Sequence, residues 1–550
     1  MPAVPIIPDS APFTQEQRAW LNGFLAGVLS NDQAMGAASI PAAEWKRPLL
    51  IAYGSQSGNA ECFAKKLGKD AGGRGFAAQV SSLESLQTAD LVKSQNLLLV
   101  TSTWGEGDMP DNAAIFWDHL NQNGSSPQLN GVKYSVLALG DKNYGDTFCL
   151  AGRKIDERLE QLGAQRVHPR VDCDVDFDEP AQQWSNAALV ALLEGSAGVP
   201  PVQPASIAAQ SKPREESGYS KKNPYPAKLI ANINLNDERS AKDTRHIVFS
   251  VAGSGLVYET GDALGVRVQN DPDVVSSVIA AHQLDTDAPV KLPDGTQASL
   301  QEALVGHYEV RSLLGVRPDK APASDEFIDS LKKLQPRLYS IASSLKAHPD
   351  EVHLCVAVVR YEKDGVRHQG VASTFLADRL AIGDTAGVFI HTAKHFRVPA
   401  NGDTSIIMIG PGTGIAPFRA FLEERQVTGA KGKNWLFFGD QKLDHDFLYR
   451  DEIQAWVKDG HLTRLNTAFS RDQEKKIYVQ NRMLDAAAEL WQWLEEGAHF
   501  YVCGDASRMA KDVDAALHQV IATHGGKSAE DAVAYVAEMK KSKRYARDVY

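Results

Sequence analysis

The sequence predicts a multidomain α/β chain: a parallel-sheet domain, an antiparallel β-barrel domain with a helical insertion, and a second parallel-sheet domain. Three observations predict it. At 550 residues the chain is too long for one hydrophobic core. Short apolar runs alternate with helix-like segments over residues 48–193 and again after residue 400, and those of the first set end in polar, glycine-containing loops. Between them, residues 228–268 hold closely spaced β-forming runs separated by turn residues, the pattern of an antiparallel sheet.

Composition excludes several classes. With 43% hydrophobic and 23% charged residues the chain reads as a soluble globular protein, and a net charge of -11 argues against a nucleic-acid surface. No apolar run approaches the roughly 20 residues that span a bilayer. No basic residue precedes Arg18 and no signal-peptide core follows, so a cytoplasmic location is expected. The five cysteines, Cys62, Cys149, Cys173, Cys355 and Cys503, are far apart and form no Cys-x-x-Cys, which suits free thiols in a reducing compartment. No cluster of metal-ligand spacing is present, so no metal is expected on this chain and any metal chemistry falls to a partner.

Residues 1–46 read as an extension carrying one helix. Thr14 to Gln17 fits a capping box, and Trp20, Leu21, Phe24, Leu25, Val28 and Leu29 fall on one face. That face docks on its own chain or on another subunit; a homo-oligomer through this region is the expectation.

The first domain is expected over residues 47–194. Its strands are Pro48–Tyr53, Asn96–Val100 and Tyr134–Leu139. The loop after the first, Gly54-Ser55-Gln56-Ser57-Gly58-Asn59-Ala60, offers hydroxyls and backbone N–H groups at a helix start, which suits a phosphate. It lacks the Gly-Lys-Ser/Thr ending of an NTPase loop. The next two loops offer Trp104 and Tyr144, two aromatics able to sandwich a flat ring. Residues 101–200 carry seven Lys/Arg against fifteen Asp/Glu, with Asp172, Asp174, Asp176, Asp178 and Glu179 clustered. This is either a solvated face or a landing surface for a basic redox partner. Residues 195–226, rich in Pro, Gly and Ser, read as a mobile linker.

The barrel domain is expected over residues 227–399, with the helical insertion at 271–334. Its centre is Arg337-Leu338-Tyr339-Ser340. Along a strand Arg337 and Tyr339 share one side and Ser340 points to the other, which offers a flavin a guanidinium for its pyrophosphate, a π-face for its ring and a hydroxyl near N5. Gly370-Val371-Ala372-Ser373-Thr374 opens a helix through Leu380 and again suits a pyrophosphate. The last domain, residues 400–550, follows the strand Ser405–Ile409 with Gly410-Pro411-Gly412-Thr413-Gly414, where three glycines allow close approach of a dinucleotide. Ser470, Arg471 and Lys476, with Tyr478 beside them, supply the hydroxyl and cations a 2′-phosphate calls for, so NADPH is expected over NADH. The chain ends Arg547-Asp548-Val549-Tyr550, where fraying is the ordinary expectation.

Taken together these residues resemble the diflavin reductases: a flavodoxin-like FMN domain fused to a ferredoxin–NADP reductase-like pair, an FAD-binding barrel and an NADP-binding α/β domain. The likeness covers nearly all of the chain after residue 46. Within that family it is closest to the flavoproteins serving NADPH-dependent sulfite reduction, through Gly410–Glu424, Lys433–Gly439, Ser470–Gln480, Tyr501–Asp512 and the Arg-Asp-Val-Tyr end. The third FMN loop, Asn143 to Cys149, is nearer to free-standing flavodoxins, and the helical insertion is shorter than the family norm. No membrane anchor precedes the flavodoxin module.

The resemblance implies the site residues. FMN would be held by Ser55, Gln56, Ser57, Gly58, Asn59 and Ala60, by Ser102, Thr103, Trp104 and Gly105, and by Leu139, Gly140, Asp141, Asn143, Tyr144, Phe148 and Cys149. FAD would be held by Arg337, Leu338, Tyr339 and Ser340, by Cys355, Val356, Ala357 and Tyr361, and by Gly370, Val371, Ala372 and Ser373. Tyr550 would cover the flavin and give way to nicotinamide, while Cys503 and Asp548 would join Ser340 on the hydride path. NADPH would be held by Gly412, Thr413, Ser470, Arg471, Lys476, Ile477, Tyr478, Val479, Gln480 and Asp512. Electrons would run from NADPH to FAD to FMN and on to a separate sirohaem/4Fe–4S subunit that reduces sulfite to sulfide. A soluble diflavin reductase serving another one-electron acceptor, such as a P450-type haem protein, would share the same entry machinery.

Overall fold

The computed structural model describes residues 46–550 apart from 56–57, 105–106, 122–127, 195–217, 294, 319 and 364, together with the isolated residues 8, 18 and 22. The expected N-terminal helix and most of the linker thus lie outside the described residues. Among those described, no helix is long and apolar enough to cross a membrane.

The first sheet is parallel, in the order Phe76–Ser82, Arg47–Gly54, Asn96–Ser102, Lys133–Leu139, Gln165–Arg166, with Val171–Cys173 also paired to Lys133–Leu139. Its strands are apolar on both faces because helices cover both. Ile51 and Leu98, paired in register, pack into one core, and their neighbours Leu50 and Leu97 into the other. The edge strand Phe76–Ser82 was not legible in the sequence: only Phe76 of its seven residues is buried, so it shows no apolar run.

The second sheet is antiparallel, in the order Arg337–Ser340, Ala263–Val266, Thr385–His391, Tyr225–Asn234, Thr244–Ser250, Glu351–Ala357. Its two end strands meet. Ile341 bridges Leu354, and the Ala342 N–H donates to the His353 carbonyl at 2.8 Å, so the sheet rolls up on itself. Strand Tyr225–Asn234 starts two residues before the barrel domain expected from residue 227. Among the described residues the insertion holds three α-helices, Pro272–Ala281, Leu300–Gly306 and Ser324–Ser330, a short 3-10 turn and a short hairpin, with a core of its own around Val275, Leu300 and Phe327. The helix expected through Leu380 is α over Val371–Thr374 and widens into a π-turn over Phe375–Arg379.

The third sheet is parallel, in the order Arg464–Phe469, Asn434–Asp440, Ile406–Ile409, His499–Gly504, Tyr545–Val549. The chain end therefore does not fray. It is the fifth strand, paired to His499–Gly504 with Cys503 opposite Asp548. The second and third sheets share a core in which Ala342, Cys355 and Phe396 pack with Ile406, Phe418 and Tyr501. Buried Arg419 ties the same seam, reaching the Ala342 carbonyl at 2.6 Å, Glu423 at 2.8 Å and Glu452 at 2.9 Å. This packing brings the end of Arg337–Ser340 against the C-terminal strand.

Candidate active site

Three side chains from two sheets converge at that seam. Ser340 closes the second sheet's end strand, and Cys503 and Asp548 lie side by side on the third. Ser340 Oγ donates to Asp548 Oδ2 at 2.6 Å, and Cys503 Sγ stands 3.9 Å from the same oxygen. Burial pushes the Asp548 carboxyl above its ordinary range, opposed by the Ser340 and Cys503 hydrogen bonds, and burial likewise pushes the Cys503 thiol well up. The cluster is a part-buried set of proton-bearing groups with one shared acceptor. Gly414 is needed beside it, because a Cβ there would sit 2.1 Å from the Cys503 carbonyl oxygen.

Tyr550 follows directly. Its N–H donates to the Gly504 carbonyl at 3.0 Å, its hydroxyl meets Thr413 Oγ1 at 2.8 Å, and its ring is 61% exposed on the wall of a cavity of about 1640 Å³. Arg337 and Leu338 line that cavity too, and the Arg337 guanidinium makes no hydrogen bond or ion pair among the described residues. Tyr339 instead packs on the core of the rolled sheet, and burial raises its phenol pKa. Strand alternation put Arg337 and Tyr339 on one side. In the sheet Arg337 pairs with Val266 and Tyr339 with Leu264, so the two keep the same face, while Arg337 and Leu338 are the pair that lines the cavity.

The first sheet's loops open on the same cavity. Asn59, Ser102, Thr103, Trp104, Leu139, Gly140, Asp141, Tyr144, Phe148 and Cys149 all line it. Ser55 is buried, its Oγ without a partner among the described residues, and Gly58 takes φ +86° just before the helix Asn59–Gly72. An orphaned hydroxyl beside open helix N–H groups fits a phosphate. Ala60 is buried in the core, leaving only its backbone for a ligand. Gln56, Ser57 and Gly105 lie outside the described residues, as does the Asn143 side chain. Tyr144 is 61% exposed, whereas Trp104 packs against the third sheet's core. Buried Cys149 has its thiol pushed up to about 12, so it serves as packing rather than as a thiolate.

The remaining predicted residues fall away from this cavity's lining, Tyr361 excepted. Cys355 and Val356 are buried and Ala357 exposed along Glu351–Ala357. Ser373 Oγ accepts from the Val359 N–H at 3.1 Å, and Gly370 leaves room for it, since a Cβ would meet that Oγ at 2.6 Å. Val371 and Ala372 start the short helix. Tyr361 stacks on His368 with centroids 5.0 Å apart. On the third sheet, Gly412 and Thr413 form the turn after Ile406–Ile409, and Arg471 and Lys476 stand exposed with no ion pair among the described residues. The Ser470 N–H donates to the Asp440 carbonyl at 2.9 Å, and Gln480 Nε2 donates to Asp512 Oδ2 at 3.0 Å. Ile477 and Val479 pack into the core, while Tyr478 is exposed. Two unpaired cations and a hydroxyl beside an open glycine loop fit a phosphorylated dinucleotide.

Reasoning from sequence missed Lys242 and Asp440, a pair joining the second and third sheets. Asp440 ends a parallel strand, the position at which such sheets bind ligands, and that was the available signal. It also showed no trace of His348, Glu351 and His353, whose ligand atoms lie within 4.8 Å of one another. Arg419 Nη1 faces His353 Nδ1 at 3.4 Å, which leaves His353 Nε2 to donate to Glu351 at 2.9 Å. Burial and Arg419 hold that imidazole down to about 3. The trio reads as a hydrogen-bonded network, not a ligand set.

Comparison with known proteins covers the same three units. The flavodoxin family matches residues 51–184, the FAD binding domain family residues 217–314 and 294–375, and the oxidoreductase NAD-binding domain family residues 408–515. The chain is 44% identical to the NADPH sulfite reductase flavoprotein alpha-component of Bacillus subtilis, over 98% of this chain and 96% of that protein. It is 41% identical to the proteins of that name from Vibrio cholerae, over 97% and 93%, and Klebsiella pneumoniae, over 98% and 96%.

Proposed function

Since the chain belongs to the family of NADPH sulfite reductase flavoprotein alpha-components, and is thus an NADPH-dependent diflavin oxidoreductase, we propose that it delivers its electrons to a separate sirohaem iron–sulfur subunit that reduces sulfite to sulfide. Bound FAD would supply two-electron chemistry matched to the hydride of NADPH, and bound FMN one-electron chemistry matched to a haem or iron–sulfur acceptor.

The chain's own residues do the positioning. Arg337 would hold the FAD pyrophosphate, and Tyr550 would cover the ring until nicotinamide enters. Ser340, Cys503 and Asp548 would keep the hydride path dry, with Asp548 Oδ2 fixing the Ser340 hydroxyl. Ser470, Arg471 and Lys476 would take the 2′-phosphate. Ser55 and the N–H groups near Gly58 would take the FMN phosphate, with Tyr144 and Trp104 at its ring. The units are assigned as residues 47–194 for FMN, 195–226 as linker, 227–399 for FAD and 400–550 for NADPH. Residues 1–46 are assigned to self-association.

One observation carries the reading. The predicted ring loops of FMN and the Arg337–Tyr550 side of the FAD site line a single cavity, so electrons need not leave the chain between them. The test is NADPH oxidation driven by sulfite, with and without a purified sirohaem subunit, after both flavins are confirmed by absorbance. Oxidation that needs both proteins and yields sulfide is expected. Brisk dye reduction without sulfide would move the chain to another acceptor, such as a P450-type haem protein.

A further inference from the structure

The third sheet holds a buried acid that the hydride path does not use. Asp440 ends the strand Asn434–Asp440, and its side chain is 1% exposed. Two donors hold its Oδ1: Lys242 Nζ, from the second sheet's side, and the Gln441 N–H at 2.7 Å. Oδ2 is buried with no hydrogen-bond partner among the described residues. Buried carboxylate oxygens are almost always satisfied, so an orphan of this kind calls for an explanation.

Its surroundings supply one. Oδ2 looks toward Gly412, which sits at φ +57°; it is the sole atom within 4 Å of where a Cβ on Gly412 would stand, at 3.9 Å. The Asp440 carbonyl meanwhile accepts from the Ser470 N–H at 2.9 Å. Asp440 thus stands between the two segments read as the pyrophosphate loop and the 2′-phosphate loop. Thr413, next to Gly412, bonds Tyr550, so this end of the glycine loop is the nicotinamide end.

A carboxylate oxygen repels phosphate and accepts from hydroxyls. We infer that Asp440 Oδ2 accepts a hydrogen bond from a ribose hydroxyl on the nicotinamide half of bound NADPH, with Lys242 holding the carboxylate in place. The inference rests on the NADPH reading of this sheet. Burial raises the Asp440 carboxyl, and Lys242 opposes that rise.

Asp440→Asn tests it sharply. Lys242 and the Gln441 N–H are both donors, so the amide oxygen must stay with them and the NH2 takes the place of Oδ2. An acceptor becomes a donor with no change of shape. Titration calorimetry on the oxidised holoenzyme is expected to show NADP+ binding weakened about tenfold, with 2′,5′-ADP, which lacks the nicotinamide ribose, unchanged. Asp440→Ala, which removes the acceptor without adding a donor, should weaken NADP+ in the same selective way, and flavin content reports that each variant folds. Wild-type NADP+ affinity in both variants would overturn the inference. Equal loss of NADP+ and 2′,5′-ADP would also overturn it, making Asp440 a prop for the Ser470 segment. Failure of the wild type to bind 2′,5′-ADP would bring down the NADPH reading itself, and this inference with it.

Discussion

The first and third sheets face one problem, holding a phosphate-bearing ligand at the C-terminal edge of parallel strands, with opposite electrostatics. The first sits in an acidic stretch of chain, and its best-placed aromatic, Tyr144, stands out in solvent. The third sets two acids inward at its ligand edge: Asp440, with its side chain buried, and half-buried Asp548, each held by named partners. Exposed acids impose a field on what approaches, whereas buried acids act on one atom at a time. One-electron delivery to another protein needs the former, and hydride transfer inside a dry pocket needs the latter. Part of the acidic face is also engaged within the chain. Asp176 accepts from Gln335 at 3.0 Å, and Asp178 lies 3.7 Å from Lys222.

The largest effect should come from the buried side. Asp548→Asn is expected to lower NADPH–ferricyanide turnover by about 10²-fold with both flavins retained. Because the folded carboxyl pKa is raised, its contribution to stability is present below the unfolded value of 3.8 and lost as pH rises through the folded value. At neutral pH the variant should therefore melt no lower than the wild type. A variant as active as wild type would place the hydride path elsewhere.

On the exposed side, Tyr144→Ala should weaken FMN by about 1–3 kcal/mol, the worth of a base stacked on an aromatic, and leave ferricyanide reduction at FAD intact. Flavin extracted and quantified by chromatography would show it, and unchanged FMN would assign the stacking to another residue. Smaller is the salt effect. Raising salt from about 50 mM to about 500 mM should slow electron delivery to the proposed haem subunit severalfold while dye reduction stays level, since a long-range field is screened and a buried contact is not. Equal slowing of both would remove the landing-surface role.

The smallest effect concerns a polar cluster behind the third sheet. Asp514 raises the His518 imidazole from 3.3 Å, mainly by the hydrogen bond. That stabilisation is full below the unfolded value of 6.5 and is lost as pH climbs through the raised folded value. Melting temperature should fall by a few degrees over that range, and the fall should flatten in His518→Gln. A parallel decline in both proteins would exclude His518 as its source.

Much of this was legible because it is local. Apolar runs such as Leu97–Val100 and Trp435–Phe438 announce buried strands, and Gly54–Ala60 and Gly410–Gly414 announce the glycine-bearing loops proposed to hold phosphates, by composition alone. The strand Phe76–Ser82 escaped because an edge strand buries one residue and leaves no run. For Cys503 and Asp548 the sequence offered only family likeness, since 45 residues separate two side chains that share one oxygen.

By itself the sequence determined the three-unit order, the glycine loops and the exposed cations proposed for a 2′-phosphate, since each depends on residues within a few positions of one another. Only the tertiary structure decided what meets what. The chain end became a strand because His499–Gly504 offered it an edge, and the shared core around Phe396 and Tyr501 drew Ser340 to Asp548. It also left one oxygen of Asp440 buried and facing a loop 28 residues away, since hydrogen bonds between distant segments are set by packing, which no short window of residues encodes.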